Sequence, residues 1–273
     1  MKKYLIASLL VLIMTLPAAV ASNQVSLEKN EFINSTGTLE DGFTHTVFAE
    51  YGTTTGCGHC PPASAALYSI YQSEDYPFYY VSLVADKNTA AARRLGALSA
   101  IAVPVVYFDG GEVNVVGDVG ESVYRSTIQD MGAREVKQPL DMNTSVSWDG
   151  NAQLTVKVTI KNNGNFFYLG ILRSYVTEIE SRWRDAQSNP YHFGFIDFAF
   201  NRPILLFPGG ERTFTKKWDG TKDHGGETFE DITEDNIMVL SSISHWIPQK
   251  RTGYEDATYY AFIVDQASGA APS

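Results

Sequence analysis

Two cysteines separated by two residues are the part of this sequence best suited to chemistry. Cys57 and Cys60 are the only cysteines in the 273-residue chain, and Gly58 and His59 lie between them. In a helical turn this spacing brings two sulfur atoms within bonding distance without distorting the backbone. Such a pair can alternate between dithiol and disulfide, which is the chemistry of thiol–disulfide exchange. We expect Cys57 to attack the substrate and Cys60 to resolve the mixed disulfide.

The residues around the pair favour a reactive thiolate on Cys57. A strand is predicted at residues 47–51 and a helix directly after the motif, where Pro61 and Pro62 fit an opening turn. The free N–H groups and the positive dipole end of that helix stabilise a thiolate. His59 adds a group that can carry positive charge beside Cys57. A stabilised reduced form makes the disulfide a stronger oxidant.

Three other interpretations of the pair remain open. Secreted cysteines usually form structural disulfides, although a disulfide between Cys57 and Cys60 would close a loop too short to constrain the unfolded chain much. The pair could be half of a zinc site, but the chain has no second pair. Two buried free thiols would be unusual in an oxidising compartment.

The elements that must position the pair are indicated by hydrophobic spacing. Up to residue 132 the pattern predicts the order β-α-β-α-β-β-α, with a Gly-rich turn at residues 109–111 inside a hairpin. Beyond Pro139 long helical periods disappear, and residues 154–160 alternate strictly between apolar and polar. Short strands separated by turns predict an antiparallel sandwich of immunoglobulin-like size. The segments at residues 181–184 and 190–193 are unusually aromatic, which suits either core packing or a partner-binding surface.

The tetrapeptide CGHC and the segment Ala102-Val103-Pro104 resemble the thioredoxin superfamily, and the tetrapeptide matches the active-site form of protein disulfide isomerases. The resemblance covers residues 46 to about 132. It implies that Pro104 follows a cis peptide bond against the dithiol, and that Val103 offers backbone atoms to an extended substrate. The alternative for a lone Val-Pro is an ordinary trans bond. Gly56 and Pro61 stand where the family usually has Trp and often has Lys.

The resemblance also implies a role for Glu50. In the family, a buried acid on the strand before the motif accepts the proton of the resolving cysteine. Glu50 is the only acid on the predicted strand and precedes Cys57 by seven residues. The turn at residues 52–56 is longer than in thioredoxin, so a solvated charge at the strand end is the alternative.

The N-terminus predicts export. Lys2 and Lys3 precede an apolar run at residues 5–16, and Ala19-Val20-Ala21 fits a signal-peptidase site. The run is shorter than the ~20 residues that span a bilayer, and no cysteine follows the cleavage position. We therefore expect a signal peptide at residues 1–21 and a secreted or periplasmic mature protein.

Composition limits the partners. The chain has 21 basic and 31 acidic residues, for a net charge of −10, which disfavours binding to phosphate backbones and anionic lipid. We expect no nucleic-acid partner and no membrane insertion. Two cysteines and five histidines leave few ligands for a metal site, and the expected chemistry requires no cofactor.

The sequence thus predicts an α/β thioredoxin-like fold at residues 46–137, followed by an all-β antiparallel, immunoglobulin-like sandwich at residues 138–265. A lead-in at residues 22–45 and a tail at residues 266–273 complete the chain. The expected function is that of an enzyme, an extracytoplasmic thiol–disulfide oxidoreductase that acts on protein thiols and disulfides and is recycled by an unidentified redox partner. The alternative is a secreted adhesion, scaffold or partner-binding protein in which the sandwich is the working part and the dithiol is vestigial.

Overall fold

The structure is a computed structural model that describes residues 42–273, so the predicted signal peptide and nearly all of the lead-in lie outside the described residues. The first seven elements follow the order that the hydrophobic spacing predicts. They are β1 (Val47–Thr53), α1 (Cys60–Ser73), β2 (Phe78–Val84), α2 (Thr89–Ala97), β3 (Val105–Phe108), β4 (Val113–Val116) and α3 (Glu121–Gly132).

The rest of the described chain is almost entirely strand. Its elements are β5 (Leu140–Gly150), β6 (Gln153–Asn162), β7 (Tyr168–Arg184), β8 (Pro190–Leu206), β9 (Glu211–Asp219), β10 (Ile237–His245), β11 (Gln249–Thr252), β12 (Thr258–Ala261) and β13 (Val264–Ala270). Residues of the predicted tail belong to β13, which pairs with β10. No helix within residues 42–273 is long and apolar enough to cross a membrane.

Strand β1 is central and buried along its whole length. It pairs in parallel with β2 and antiparallel with β3. Burial of both its faces explains why its sequence does not alternate between apolar and polar residues. Successive side chains of β1 point to opposite faces. Tyr51 faces α1, where its hydroxyl bonds to the Cys60 carbonyl, and Glu50 faces Arg94 of α2.

The β-rich half contains a second core. A three-stranded antiparallel sheet, β5-β6-β9, packs on β7, β8 and β10. The alternation of β6 buries Leu154, Val156, Val158 and Ile160 and leaves Lys157 and Lys161 in solvent. Two-residue alternation with one buried face is the pattern that an antiparallel sheet requires.

The predicted fold class, a thioredoxin-like α/β domain followed by a separate immunoglobulin-like sandwich, is wrong. Four strands from each half form one eight-stranded mixed sheet with the order β13-β10-β7-β8-β2-β1-β3-β4. Strands β2 and β8 join the halves at Ser82 and Gly194, and Ser82 Oγ donates to the His192 carbonyl over 2.7 Å. Thirteen strands against three α-helices make residues 42–273 β-rich. Alternation reports which face of a strand is buried, but not which strand lies beside it.

The two halves also share a core. Tyr175 of β7 and Tyr191 and Phe195 of β8 belong to the same buried cluster as Phe48 and Tyr80 of the first half. The face of β7 and β8 that a free sandwich would expose to water is therefore covered by the α/β elements.

Candidate functional site

The cysteine pair lies in the turn between β1 and α1. Cys57 and Cys60 form a disulfide with their Cα atoms 5.4 Å apart. The Cys57 N–H donates to the Thr54 carbonyl over 3.2 Å, and the Cys60 N–H donates to the Cys57 carbonyl over 3.3 Å. Two successive backbone bonds therefore hold the motif as a compact turn, and α1 begins only at Cys60.

The two cysteines differ in access. Cys57 is half-buried, whereas Cys60 is fully buried, with 0% of its surface exposed. Gly58 and His59 between them are exposed. Cys57 therefore has surface that an incoming thiolate can reach, while the sulfur of Cys60 is shielded by the protein. This asymmetry suits the predicted roles of attacking and resolving cysteine.

The start of α1 offers fewer hydrogen-bond donors than an ordinary helix. Pro61 and Pro62 lie in the first turn, as predicted, and each lacks an N–H group. The Cys60 N–H is already bonded to the Cys57 carbonyl, and the His59 side chain makes no capping bond. The exposed His59, two residues after Cys57, is a group near the thiol in sequence that can carry positive charge.

A chain of hydroxyl groups lies behind the cysteines. Tyr51 Oη donates to the Cys60 carbonyl over 2.9 Å and lies 3.3 Å from Thr53 Oγ1. Thr53 Oγ1 is 3.0 Å from Tyr191 Oη, which donates to the Thr54 carbonyl over 3.0 Å. Burial raises the pKa of Tyr51 far above its usual value, so its hydroxyl keeps its proton. The chain fixes both the turn before Cys57 and the first residue of α1.

Strand β8 positions α1 as well. The His192 ring stacks on Tyr68 of α1 with centroids 3.4 Å apart, and Phe193 meets Tyr71 edge-on at 4.7 Å. Sequence reasoning missed Tyr191 and its neighbours as part of the site. The aromatic segment at residues 190–193 was the available signal, but without a fold it indicated only packing or a partner surface.

Pro104 directly precedes β3, the strand that pairs antiparallel with β1. The Val103–Pro104 bond is cis, which confirms that prediction. Val105 pairs with Gly52 near the end of β1, so Pro104 lies at the end of β1 from which the chain turns toward Cys57. Pro104 is buried, its carbonyl accepts the Gly117 N–H over 2.8 Å, and Val103 is half-buried. The substrate-positioning role of Pro104 stays a prediction.

Glu50 is not placed to accept a proton from Cys60. Its side chain faces away from α1, and its two carboxylate oxygens accept bonds of 2.6 Å each from Arg94 Nε and Nη2. Tyr175 Oη donates a third bond of 2.7 Å. Burial alone would raise the pKa of Glu50, but the charge and hydrogen bonds of Arg94 outweigh it and hold the pKa below its usual value. The residue is a buried, ionised carboxylate.

Within residues 42–273, no group of three or more His, Cys, Asp or Glu side chains could hold a metal ion. The residues that the geometry brings together around the disulfide are hydroxyl-bearing and aromatic. Such an arrangement can position two sulfur atoms and bury one of them.

No family model matches the chain, and no curated protein does. Among solved structures, HBP35 of Porphyromonas gingivalis matches with a TM-score of 0.62 at 13% identity, over 84% of this chain and 76% of that one. A structural-genomics protein from Agrobacterium tumefaciens matches with a TM-score of 0.46 at 16% identity, over 84% of this chain and 95% of that one. A β-glucosidase from Listeria innocua reaches a TM-score of 0.28 at 15% identity, over 47% of this chain and 16% of that one.

The match to HBP35 is a likeness of fold that extends across both halves of this chain. It fits a β-rich molecule built on one large mixed sheet rather than a thioredoxin domain. The identification of the chain as a disulfide-isomerase-like member of the thioredoxin superfamily is therefore wrong. The tetrapeptide and the order of the first elements are local features, and they do not determine the architecture of the whole chain.

Proposed function

We propose that this protein is an extracytoplasmic thiol–disulfide oxidoreductase that exchanges disulfides with protein substrates through Cys57 and Cys60. The observation that supports this best is the difference in exposure between the two bonded cysteines, with Cys57 half-buried and Cys60 fully buried. A disulfide that only cross-links the chain would stabilise little across two residues.

The exchange proceeds in two displacement steps. A substrate thiolate attacks Cys57 Sγ, the Cys57–Cys60 bond breaks, and Cys60 leaves as a thiolate that takes up a proton. The second thiolate of the substrate then attacks the substrate sulfur that is bonded to Cys57. The substrate disulfide forms, and Cys57 leaves as a thiolate. Two electrons pass to the protein, and the substrate leaves with one disulfide. In the reverse direction Cys57 attacks a substrate disulfide and Cys60 resolves the intermediate.

The chain's own residues hold the geometry for these steps. The Tyr51–Thr53–Tyr191 hydroxyl chain keeps the turn and the start of α1 in place while the sulfur–sulfur bond opens. The extracytoplasmic setting rests on the signal peptide predicted at residues 1–21, since disulfides persist in oxidising compartments. The substrates are proteins, and a separate redox partner returns the pair to its starting state.

Trapping of mixed disulfides tests the proposal. Cys60→Ala should accumulate substrates bonded to Cys57, because the intermediate can no longer be resolved. Cys57→Ala should accumulate none, because the remaining cysteine is buried. The measurement is a non-reducing gel of extracts containing each variant, with mass spectrometry of the bands and the double variant as control. Equal trapping by both single variants, or none by either, would favour the adhesion or scaffold alternative with a vestigial dithiol.

A further inference from the structure

Three loops at one end of the β-rich half expose large apolar side chains. The loops are residues 163–167 between β6 and β7, 207–210 between β8 and β9, and 246–248 between β10 and β11, and together they are called the loop face here. Its exposed side chains are Phe166 (75% exposed), Phe167 (62%), Phe207 (62%), Trp246 (43%) and Ile247 (68%). Five such side chains in three short loops are more than the single exposed apolar residues that are normal on a protein surface.

The loop face is continuous. The rings of Phe167 and Phe207 lie edge to face with centroids 5.2 Å apart. Asn162 Nδ2 donates to the carbonyls of both Phe166 and Phe207, which ties the first two loops together. The Trp246 N–H donates to the Leu169 carbonyl over 2.9 Å, which brings the third loop beside β7.

Two leucines extend the loop face onto the large sheet. Leu169 of β7 and Leu205 of β8 are directly paired, and both are exposed. Together with the loops they make one apolar surface, and such surfaces mark contacts with proteins or membranes.

Charge distinguishes this surface from the rest of the molecule. None of the twelve loop residues is charged, although 19% of the chain is. Within three residues of the loops the sequence has four basic residues and one acidic residue, Glu211. Lys161, Arg212 and Lys250 are exposed, and Arg251 is paired with Glu112. In the whole chain acidic residues outnumber basic ones, 31 to 21.

We propose that the loop face docks on the surface of an anionic lipid bilayer. Aromatic side chains on uncharged loops suit the boundary between headgroups and acyl chains, where Trp in particular is favoured. The basic residues behind the loops then lie at the depth of the anionic headgroups. A second copy of the chain fits this surface less well, because a symmetric contact would bring the exposed basic residues beside the loops of both copies together.

The overall negative charge does not prevent this contact. At physiological ionic strength the Debye length is about 8 Å, so acidic residues elsewhere on the molecule are screened from the bilayer. The exposed charged residues nearest in sequence to the loops are Lys161, Arg212, Lys250 and Glu211, whose sum is positive. Total composition predicts avoidance of anionic lipid, whereas this local charge favours contact with it.

Docking in this way would leave the cysteine pair facing away from the membrane. Tyr191, which holds the turn before Cys57, is near the start of β8, and Phe207 directly follows its end. Sixteen residues of strand at ~3.3 Å each give a contour length of roughly 50 Å along β8, which its bulges shorten in space. The protein would then present Cys57 to substrates on the side away from the lipid surface.

Vesicle binding tests the proposal. The full-length mature protein is mixed with phosphatidylcholine vesicles, alone or with phosphatidylglycerol added, and the bound fraction is measured by flotation. Phe166→Ser should weaken binding roughly tenfold, since one fewer aromatic ring enters the interface. Trp246 provides a second readout, because its emission should shift to shorter wavelength on binding and should be quenched by brominated lipid. The matched control is Ile101→Ser, which removes a 57% exposed apolar side chain outside the loop face.

The results of this experiment distinguish a lipid bilayer from a second copy of the chain as the partner of the loop face. Stronger binding to anionic vesicles that is weakened by Phe166→Ser, by Lys161→Glu and by salt, but not by Ile101→Ser, would support the proposal. Absence of vesicle binding, or equal loss in Phe166→Ser and Ile101→Ser, would overturn it. A dimer in sedimentation that Phe166→Ser dissociates would also overturn it, by assigning the loop face to a second copy. Substrate trapping by Cys60→Ala does not depend on the loop face, so the two proposals fail separately.

Discussion

Glu50 carries a negative charge in the interior, and the residues around it are arranged to keep it ionised. Arg94 and Tyr175 donate three hydrogen bonds to its carboxylate. Arg173 lies close enough to affect it, and burial together with the charge of Arg94 lowers the pKa of Arg173 to about 10. One carboxylate therefore compensates two buried guanidinium groups that repel each other. The residue matters for stability, because it connects β1, α2 and β7.

Glu50→Gln should lower the free energy of unfolding by roughly 3–5 kcal/mol, since removing one partner leaves a buried charge uncompensated. Urea unfolding followed by circular dichroism measures the change. Glu180→Gln is the matched control, because Glu180 is exposed and 3.9 Å from Arg184, and such a pair contributes about 0–1 kcal/mol. Equal effects of the two substitutions would contradict the structural role of Glu50.

The same substitution should change the pH dependence of stability. The pKa of Glu50 in the folded protein lies below its unfolded value of about 4.3, so the ionised carboxylate contributes fully to the free energy of unfolding above that pH. This stabilisation is lost as the pH falls through the folded pKa. The wild type should therefore lose stability below about pH 4, and Glu50→Gln should lose less over that range.

At the scale of single elements, helix α1 begins in an unusual way. Pro61 and Pro62 preset the backbone for a helix but remove two of the N–H groups that would otherwise face a thiolate on Cys57. The positive end of the helix dipole remains. The exposed His59 is then expected to contribute a larger share of the stabilisation of the thiolate.

His59→Pro should make the Cys57–Cys60 couple more reducing by tens of millivolts. We expect the wild-type potential closer to the disulfide-isomerase value near −180 mV than to the thioredoxin value near −270 mV. Equilibration with glutathione followed by alkylation of free thiols measures both forms. A shift of 30 mV corresponds to about 1.4 kcal/mol, so the loss of one interaction is detectable.

His59→Gln separates charge from stiffness. It removes the imidazole without adding a proline, so an effect of the imidazole itself should lower the potential in both variants. A potential that falls only in His59→Pro would assign the effect to the rigid turn. A reduction potential that is unchanged in both variants would show that the N-terminal end of α1, and not His59, stabilises the Cys57 thiolate.

At the scale of the whole molecule, β8 is the element that connects the two halves. Its first residues hold the cysteine turn and α1, and Gly194 pairs with β2. The strand pairs with β7 from Pro190 to Leu206, and its later residues pack in the second core. The parts of the site on β1 and α1 therefore depend on a strand more than 130 residues away in sequence.

A fragment that ends at Pro139 should fail to fold cooperatively. It lacks β7 and β8, so Phe48 and Tyr80 lose their packing partners and Glu50 and Arg94 are exposed to water. Near-ultraviolet circular dichroism and urea unfolding of the fragment measure this. Tyr191→Phe in the full chain is the matched control, because it removes two hydrogen bonds and leaves the packing in place. A cooperative transition in the fragment would show that residues 46–137 form an independent domain.

The sequence alone was sufficient for features that depend on nearby residues. The disulfide spacing of Cys57 and Cys60, the prolines in the first turn of α1 and the order of the first seven elements all follow from local rules. The cis bond before Pro104 was implied only by the resemblance of Ala102-Val103-Pro104 to the thioredoxin superfamily. These features need no information about distant parts of the chain, because turn chemistry and hydrophobic period act over a few residues.

Tertiary structure decided what depends on distant partners. The single sheet, the place of Tyr191 behind the cysteines and the apolar surface at the far end of β8 all arise from contacts between segments far apart in sequence. Glu50 shows the reason most clearly. On the strand it is one acid seven residues before a cysteine, and its role depends on which face it occupies and on Arg94 and Tyr175. A residue's type and spacing define the chemistry it can perform, but its partners are chosen by the packing of the whole chain.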